Sequence, residues 1–569
     1  MRKFVTILFL FLCGTVSAQV RLQKDEMRLK EEPKQEKQEK SATQQTQYAP
    51  SRTSDEPRKK SEGEGKKTMV YLERAENLNF DQERIADAQI LVGNVVFRHD
   101  EAMMYCDSAY FYEKSNSLDA FGHVRLEQGD TLQGFGDVLY YDGNTKMARL
   151  RRHVILIHGR EDENPTVLTT DSLNYDRQRN VAYYYTGGTV KDSLNTLSSV
   201  RGKYLPDSKQ AVFSRDVKLV NPNFVLTSDT LLYNTATKVT DMVSPTTIVY
   251  EQETNIYTSH GWYNTETEHS MLLDQSLVEH VDGQTLTGDT IYYDKHIGFG
   301  RVIGNIEMRD TVQHATLYGQ YGEMWEENNR GFATDSALMV DWSDEDHYAY
   351  IHADTLFTEA LHYSDSARMD STYRRVRAYY GVRVFRDDMQ MVCDSLVYLS
   401  SDSTIHLYKT PVCWSGNQQI SADSICVYLK DNTVEHAVCI GDALCVMEDS
   451  LGLFNQMSGK EMVTYMENGE AKLVDMSGNA QTVYYPLEED GSVVGMNTTE
   501  SSFIRVYVEK RQVEKMRFTK STTGILYPMD QIPSGADRLA LFFWAIKHRP
   551  EDSNDVFRKT DLSTMKSEK

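Results

Sequence analysis

Between residues 69 and 520 apolar and polar positions alternate with period two. The runs are rich in Val, Ile, Leu, Tyr and Phe and are separated by turn-formers such as Lys114-Ser115-Asn116 and Asp142-Gly143-Asn144. Alternation of this kind, as in Val124-Arg125-Leu126 or Val217-Lys218-Leu219, predicts strands. The runs are also self-similar. One half-unit reads Asp-[Ser/Thr]-apolar-x-Tyr, at Asp171-Ser172-Leu173-Asn174-Tyr175, Asp229-Thr230-Leu231-Leu232-Tyr233, Asp289-Thr290-Ile291-Tyr292-Tyr293 and Asp394-Ser395-Leu396-Val397-Tyr398. Looser copies start at Asp107, Asp137, Asp335, Asp354 and Asp423, with degenerate ones at Gly202-Lys203-Tyr204 and Gly261-Trp262-Tyr263. The second half-unit is Gly-Asn-Val or a variant of it, at Gly93-Asn94-Val95, Gly122-His123-Val124, Gly304-Asn305-Ile306 and Gly478-Asn479-Ala480. The two alternate on a period near thirty residues, the mark of a repeat array. The apolar and Tyr positions of the Asp motif are placed inward, with the Asp at a strand edge near a turn.

Helical spacing is confined to the end of the chain. Ser534-Gly535-Ala536-Asp537 resembles a capping box, and Leu539, Phe542, Phe543 and Ile546 follow at i, i+3, i+4 and i+7 before Arg549-Pro550. A short amphipathic helix over 536–548 is expected, capping the last strands around Phe503 to Phe518. The chain therefore divides into a signal peptide (1–18), a charged linker without a core (19–68), the repetitive β region (69–520, with room for two or three stacked subdomains), a capping segment with the helix (521–549) and a disordered tail (550–569).

The leader reading rests on Arg2-Lys3, the apolar run Phe4 to Leu12, and Val16-Ser17-Ala18 before Gln19. Cleavage after Ala18 removes two positive charges, taking the net charge from −23 to −25. A chain this acidic lacks the positive surface that nucleic acid requires. Residues 19–68 are almost devoid of large apolar side chains and cannot offset the entropy of ordering.

Candidate chemistry is sparse. There is no G-x-S-x-G, H-E-x-x-H, Walker or EF-hand pattern, and Gly298-Phe299-Gly300-Arg301-Val302-Ile303-Gly304 has the wrong spacing for a dinucleotide loop. The His residues follow no common register, and the repeated Asp residues are explained by turn capping before glycosidase pairs. Cys106, Cys393, Cys413, Cys426, Cys439 and Cys445 contain no C-x-x-C pair, and six cysteines allow fifteen disulfide pairings. They read first as small buried hydrophobes. No catalytic residue, cofactor or metal is expected. Asp-[Ser/Thr]-apolar also looks like a short acceptor sequence for bacterial envelope O-glycosylation, but a structural demand of the repeat explains it more economically.

An exported chain in which Asp-[Ser/Thr]-Leu-x-Tyr alternates with Gly-Asn-Val resembles the OstA-like (organic solvent tolerance) family over about residues 70–518. The family includes periplasmic lipopolysaccharide-transport bridge proteins and the N-terminal domain of the outer-membrane lipopolysaccharide assembly protein. This chain departs from the short bridge proteins in its length, its 19–68 linker and its C-terminal segment. The resemblance implies an all-β fold, a long β-jelly-roll or β-solenoid of two facing sheets forming an open apolar groove. It also implies lipopolysaccharide or a related lipid as ligand. The implied partners are other jelly-roll proteins of the export bridge and the outer-membrane assembly protein, in the periplasm or on the periplasmic face of the outer membrane.

The groove lining on this reading is Val95, Val124, Leu173, Tyr175, Leu231, Tyr233, Ile291, Tyr293, Ile306, Leu396 and Tyr398. Physically, two such sheets either interdigitate as a sandwich or splay into a trough that shields acyl chains at about 0.8 kcal/mol per CH₂. With this net charge, contact is expected through acyl chains, with Arg149, Arg151 and Arg152 the nearest partners for phosphates. Two other readings stay open: a structural or adhesive β-solenoid that binds envelope polysaccharide or protein, and a secreted carbohydrate-active β-helix enzyme.

Overall fold

The computed structural model describes residues 68–559, 561 and 565, apart from 81–84, 86, 130–131, 160–164, 313, 328, 345, 364–371, 431–432, 468–469, 489–490 and 510–511. The leader and almost all of the linker lie outside the described residues. Among the described residues, thirty-six strands form one antiparallel sheet in which each strand pairs mainly with its sequence neighbours.

Most strands are eleven to sixteen residues long, for example Ala102–Tyr112, Ser117–Gln128, Leu132–Asp142 and Met147–His158. Each is bent at its middle, where the register shifts by one residue. In Ala102–Tyr112 the buried positions are Ala102, Met104 and Cys106 before the bend, then Ala109 and Phe111 after it. The inward parity switches, so both halves of such a strand face the same interior. The sheet is thus folded lengthwise along one corner into two leaves. Elsewhere the bend splits the strand, as between Val239–Met242 and Thr246–Tyr250 across Pro245.

The repeat motifs build this corner. Gly122 and His123 have φ of +74° and +42°, and Gly304 and Asn305 have +75° and +46°. Each pair forms a two-residue β-bulge opposite one Asp of the neighbouring strand, Asp107 and Asp289 respectively. Glycine is required because a Cβ on Gly304 would overlap the Asp289 carboxylate. The carboxylate in turn accepts from Asn305 Nδ2 at 2.9 Å, and Asp107 pairs with His123 Nδ1 at 2.7 Å.

Two expectations are corrected here. The motif Asp is at mid-strand on the corner, not at a strand edge beside a turn. Asp335, read as the start of an Asp motif, has φ +59° and occupies the bulge itself, with Ser336 at +66°.

The predicted helix is also corrected. Residues 536–548 contain turns and one 3₁₀ turn, Ile546–His548, with further 3₁₀ turns at Met529–Gln531 and Asp555–Phe557. The segment first packs on the last strands, with Ala536 and Leu539 against Val483, Tyr485 and Met496, and then runs as a strap over the outer face of the second leaf. Three outward glutamines replace helical hydrogen bonding. Gln419 donates to Phe543 O (2.9 Å) and accepts from Ala545 N (2.8 Å). Gln456 donates to Asp537 O (2.8 Å) and accepts from Leu539 N (2.9 Å). Gln390 accepts from Arg549 Nε (2.6 Å). Phe542, Phe543 and Ala545 then close over Val392, Val412, Trp414, Leu444 and Val446. Asp555, in the stretch read as a tail, pairs with the buried Arg383 at 3.1 Å.

Candidate binding cavity

The first leaf, beyond the corner, carries a continuous cross-strand row of inward side chains near the open lip of the fold. Tyr141 pairs with Ala148, Ala148 with Tyr175 and Tyr175 with Ala182. The row continues through Tyr204, Ala211, Tyr233, Thr240, Tyr263, Ser270, Tyr293 and Gly300. Large and small residues alternate, so every ring lies over the small side chains beside it. The ring is the fifth residue of the Asp motif, and the degenerate copies supply Tyr204 and Tyr263.

These rings fill the space between the leaves, and their hydroxyls tie the lips together. Tyr141 Oη pairs with His99 Nδ1 at 2.6 Å, Tyr204 Oη with His158 Nδ1 at 2.6 Å, and Tyr233 Oη donates to Asp192 at 2.7 Å. Lys146–Asp100 (2.7 Å), Arg177–Gln128 (2.8 Å), Asn223–Glu268 (2.8 Å) and Lys295–Glu251 (3.1 Å) bridge the same two rims. Burial raises the Tyr175 hydroxyl to about 12, so it remains a neutral donor, and it donates to Asn180 within its own leaf.

All eleven positions expected to line a groove face the interior. Val95, Val124, Leu173, Tyr175, Leu231, Tyr233, Ile291, Ile306, Leu396 and Tyr398 are buried, and Tyr293 is half-buried. Of the two outcomes that the sequence leaves open, a sandwich or a splayed trough, part of the body takes the first. From residue 70 to about 295 the interior is a core with bridged lips, filled by the Tyr rings apart from one small cavity.

After Gly300 the row changes. Its next members are Met324, Gly331, Thr358 and Val376 before Tyr398 restores the ring. In the deeper row, Gly322 and Ala333 stand beside Val302 and Leu356. The missing rings leave a cavity of about 80 Å³ between the leaves. Leu286, Ile306, Met308, Leu317 and Met339 of the second leaf face it from the other side. It falls where one buried core cluster ends at Ile306 and the next begins at Ala315. Of the expected groove residues, Ile306 lines it. A second cavity, of about 30 Å³, lies beneath Tyr184, Tyr204 and Tyr233, where the rings are present.

Two polar residues, Glu323 and Thr358, are among those lining the larger space. Thr358 is 9% exposed, lines the cavity, and its Oγ1 has no hydrogen-bond partner. Sequence reasoning passed over it, although Asp354-Thr355-Leu356-Phe357-Thr358 is a copy of the motif with Thr in the Tyr place.

The Cys residues hold no disulfide among the described residues. Burial pushes Cys106 and Cys413 up to about 12, which marks them as unreactive thiols. Among the described residues no cluster of three or more His, Cys, Asp or Glu side chains could hold a metal ion, and no helix is long and apolar enough to cross a membrane.

A repeat-built, all-β sheet folded about an apolar interior is the class that this geometry defines. Within that class, residues 67–229 match the family model described as OstA-like protein, so this part of the chain is an OstA-like segment. The corner, bulges and Tyr row that begin in it continue beyond residue 229. No curated protein matches the chain.

Proposed function

We propose that this chain is a non-enzymatic periplasmic lipid-binding protein that shields lipopolysaccharide acyl chains during transport to, or assembly in, the outer membrane. The observation that carries this reading is the apolar cavity between the leaves of a sheet whose N-terminal part is OstA-like, a family of transport and binding rather than catalysis. Acyl chains are held by Val, Leu, Ile and Met side chains, without need of a positive face. The ends of the sheet suit partner jelly-rolls. Tyr71–Arg74 and Asn77–Phe80 pair with Gln89–His99 on one side, and exposed Leu78 and Phe80 lie on this outermost part of the sheet. Thr523–Tyr527, with exposed Ile525 and Leu526, stands at the other end. Such edges accept an added strand. Cleavage after Ala18 would deliver the mature chain, which N-terminal sequencing of the soluble envelope fraction checks.

A photo-crosslinking residue at Met324 or Ile306 should capture lipopolysaccharide in cells, and one at the outward Thr230 should not. Equal capture at the three positions would reject the reading.

A second reading, binding of envelope polysaccharide, is favoured by one observation. The outer face of the first leaf carries Phe299, Trp325 and Phe332 in ring contact, with Arg301, Arg330 and Arg377 stacked on aromatic rings. Retention of the chain on immobilised envelope polysaccharide, abolished by Trp325→Ala, would support it.

A further inference from the structure

The triplet Asp-[Ser/Thr]-apolar occurs in two settings, and the corner of the fold explains only one of them. In the strand copies the third residue belongs to the core: Leu173, Leu231, Ile291, Leu356, Leu396 and Ile425 are all buried. Three further copies, Asp192-Ser193-Leu194, Asp310-Thr311-Val312 and Asp449-Ser450-Leu451, fall in turns along the lip of the second leaf. There the Asp carboxylate accepts from the backbone N–H of the third residue, at 3.0, 2.9 and 2.8 Å respectively, which closes the turn and accounts for the Asp. The third residue is not accounted for, because Leu194, Val312 and Leu451 are 45%, 62% and 61% exposed. The turns headed by Asp142, Asp176 and Asp294 close in the same way with neither Ser nor Thr in second place, and their third residues are Asn144, Gln178 and His296. An isolated surface leucine needs no cause. In these turns, however, the apolar third residue accompanies a hydroxyl in second place.

The three turns differ in how much of the triplet reaches solvent. Asp192 and Asp310 are buried, and Thr311 Oγ1 donates to Gly283 O at 2.9 Å. In the third turn Asp449 is half-buried and both Ser450 and Leu451 are exposed. Among the described residues the Ser450 hydroxyl has no hydrogen-bond partner. We propose that Ser450 is an O-glycosylation site, read by an envelope glycosyltransferase through the Asp449 carboxylate and the Leu451 side chain on either side of the hydroxyl. In the transfer, Ser450 Oγ attacks the anomeric carbon of an oligosaccharide carried on a lipid pyrophosphate. The glycosidic C–O bond forms as the bond from that carbon to the pyrophosphate oxygen breaks. The lipid pyrophosphate leaves with the electron pair, and a base of the transferase takes the hydroxyl proton. The proposal requires that the chain is exported, and it is independent of any lipid between the leaves.

Peptide mapping by mass spectrometry of the full chain, purified from the envelope of its native cells, tests this. The peptide carrying Ser450 should bear a glycan mass, and the peptides carrying Thr230 and Thr290 of the strand copies should not. Ser450→Ala should remove that mass from the intact protein. Leu451→Glu alters only an exposed side chain, and Asp449→Asn keeps an oxygen for the Leu451 N–H. Both leave the acceptor hydroxyl in place, and both should abolish its occupancy, which mere accessibility of a serine would not predict. An unmodified Ser450 in the wild type overturns the site. Glycan on Thr230 and Thr290 as well as Ser450 would mean that the transferase reads the unfolded chain, and overturns selection by the turn. Glycan retained on Leu451→Glu overturns the role given to Leu451.

Discussion

Tyr233 of the first leaf donates its hydroxyl to Asp192 of the second across 2.7 Å, and Lys238 approaches the same carboxylate at 3.5 Å. Burial pushes Asp192 up, but the Tyr233 hydroxyl, the Asn195 and Leu194 backbone N–H groups and Lys238 outweigh it and hold the carboxyl below its usual range. A depressed carboxyl stabilises the fold above the unfolded pKa of about 4 and loses that contribution as pH falls through the folded value. Melting curves between pH 3 and 7 should show the wild type falling more steeply below pH 4 than Asp192→Asn. Tyr233→Phe should cost about 1–2 kcal/mol at pH 7.

The repeat was legible because Asp and Gly-Asn are both demanded by the corner: the carboxylate of Asp289 lies over Gly304 and bonds Asn305. The position of the Asp was not. Counting parity from Asp171 through Leu173 to Tyr175 describes one half of a bent strand, and Leu168 in the other half faces inward on the opposite parity. Phe542 and Phe543 show why the helix failed. Their spacing fits an amphipathic helix, but the backbone groups around them bond to Gln419, and Ile546 is left exposed. The cavity was written in the sequence as Thr358 in a Tyr place. Its meaning needed the cross-strand neighbour Gly331, which no periodicity places.

The corner predicts a graded response to substitution. Gly304→Ala adds a methyl against Asp289 at a backbone that L residues rarely adopt, and should destabilise by roughly 2–3 kcal/mol. Gly416, at φ +58°, has open space around its Cβ position, so Gly416→Ala should cost only about 1 kcal/mol. Urea unfolding of the two variants measures the difference, and equal costs would mean that the Asp–Gly overlap is not what selects glycine.

Asp341 should make the fold sensitive to pH in the opposite sense to Asp192. Burial raises it to about 6, against the pull of the Ser343 backbone N–H at 2.7 Å. A raised carboxyl favours the fold fully below the unfolded pKa near 4, and that contribution is lost as pH rises through 6. Asp341→Asn keeps an oxygen for Ser343 and cannot ionise. The variant should be more stable than the wild type by on the order of 2 kcal/mol at pH 8, with the gap closing toward pH 4. A gap independent of pH would assign the effect to packing.

The strap makes the strongest demand on the isolated protein. Truncation after Pro533 removes Phe542, Phe543 and Ala545 from Val392, Trp414, Leu444 and Val446, and strips Gln419 and Gln456 of their backbone partners. It also leaves Arg383, which is 2% exposed in the intact fold, without Asp555. An apolar face and a cation prepared for burial would meet water together. The truncated chain should melt lower and associate at micromolar concentration, as followed by scanning calorimetry and light scattering. Phe543→Ala in the full chain should loosen the strap by about 3 kcal/mol and raise its cleavage by protease, while leaving the Asn305–Asp289 corner and the rest of the sheet intact. A truncated protein that stays monomeric with an unchanged melting temperature would show that this face is stable without its cover.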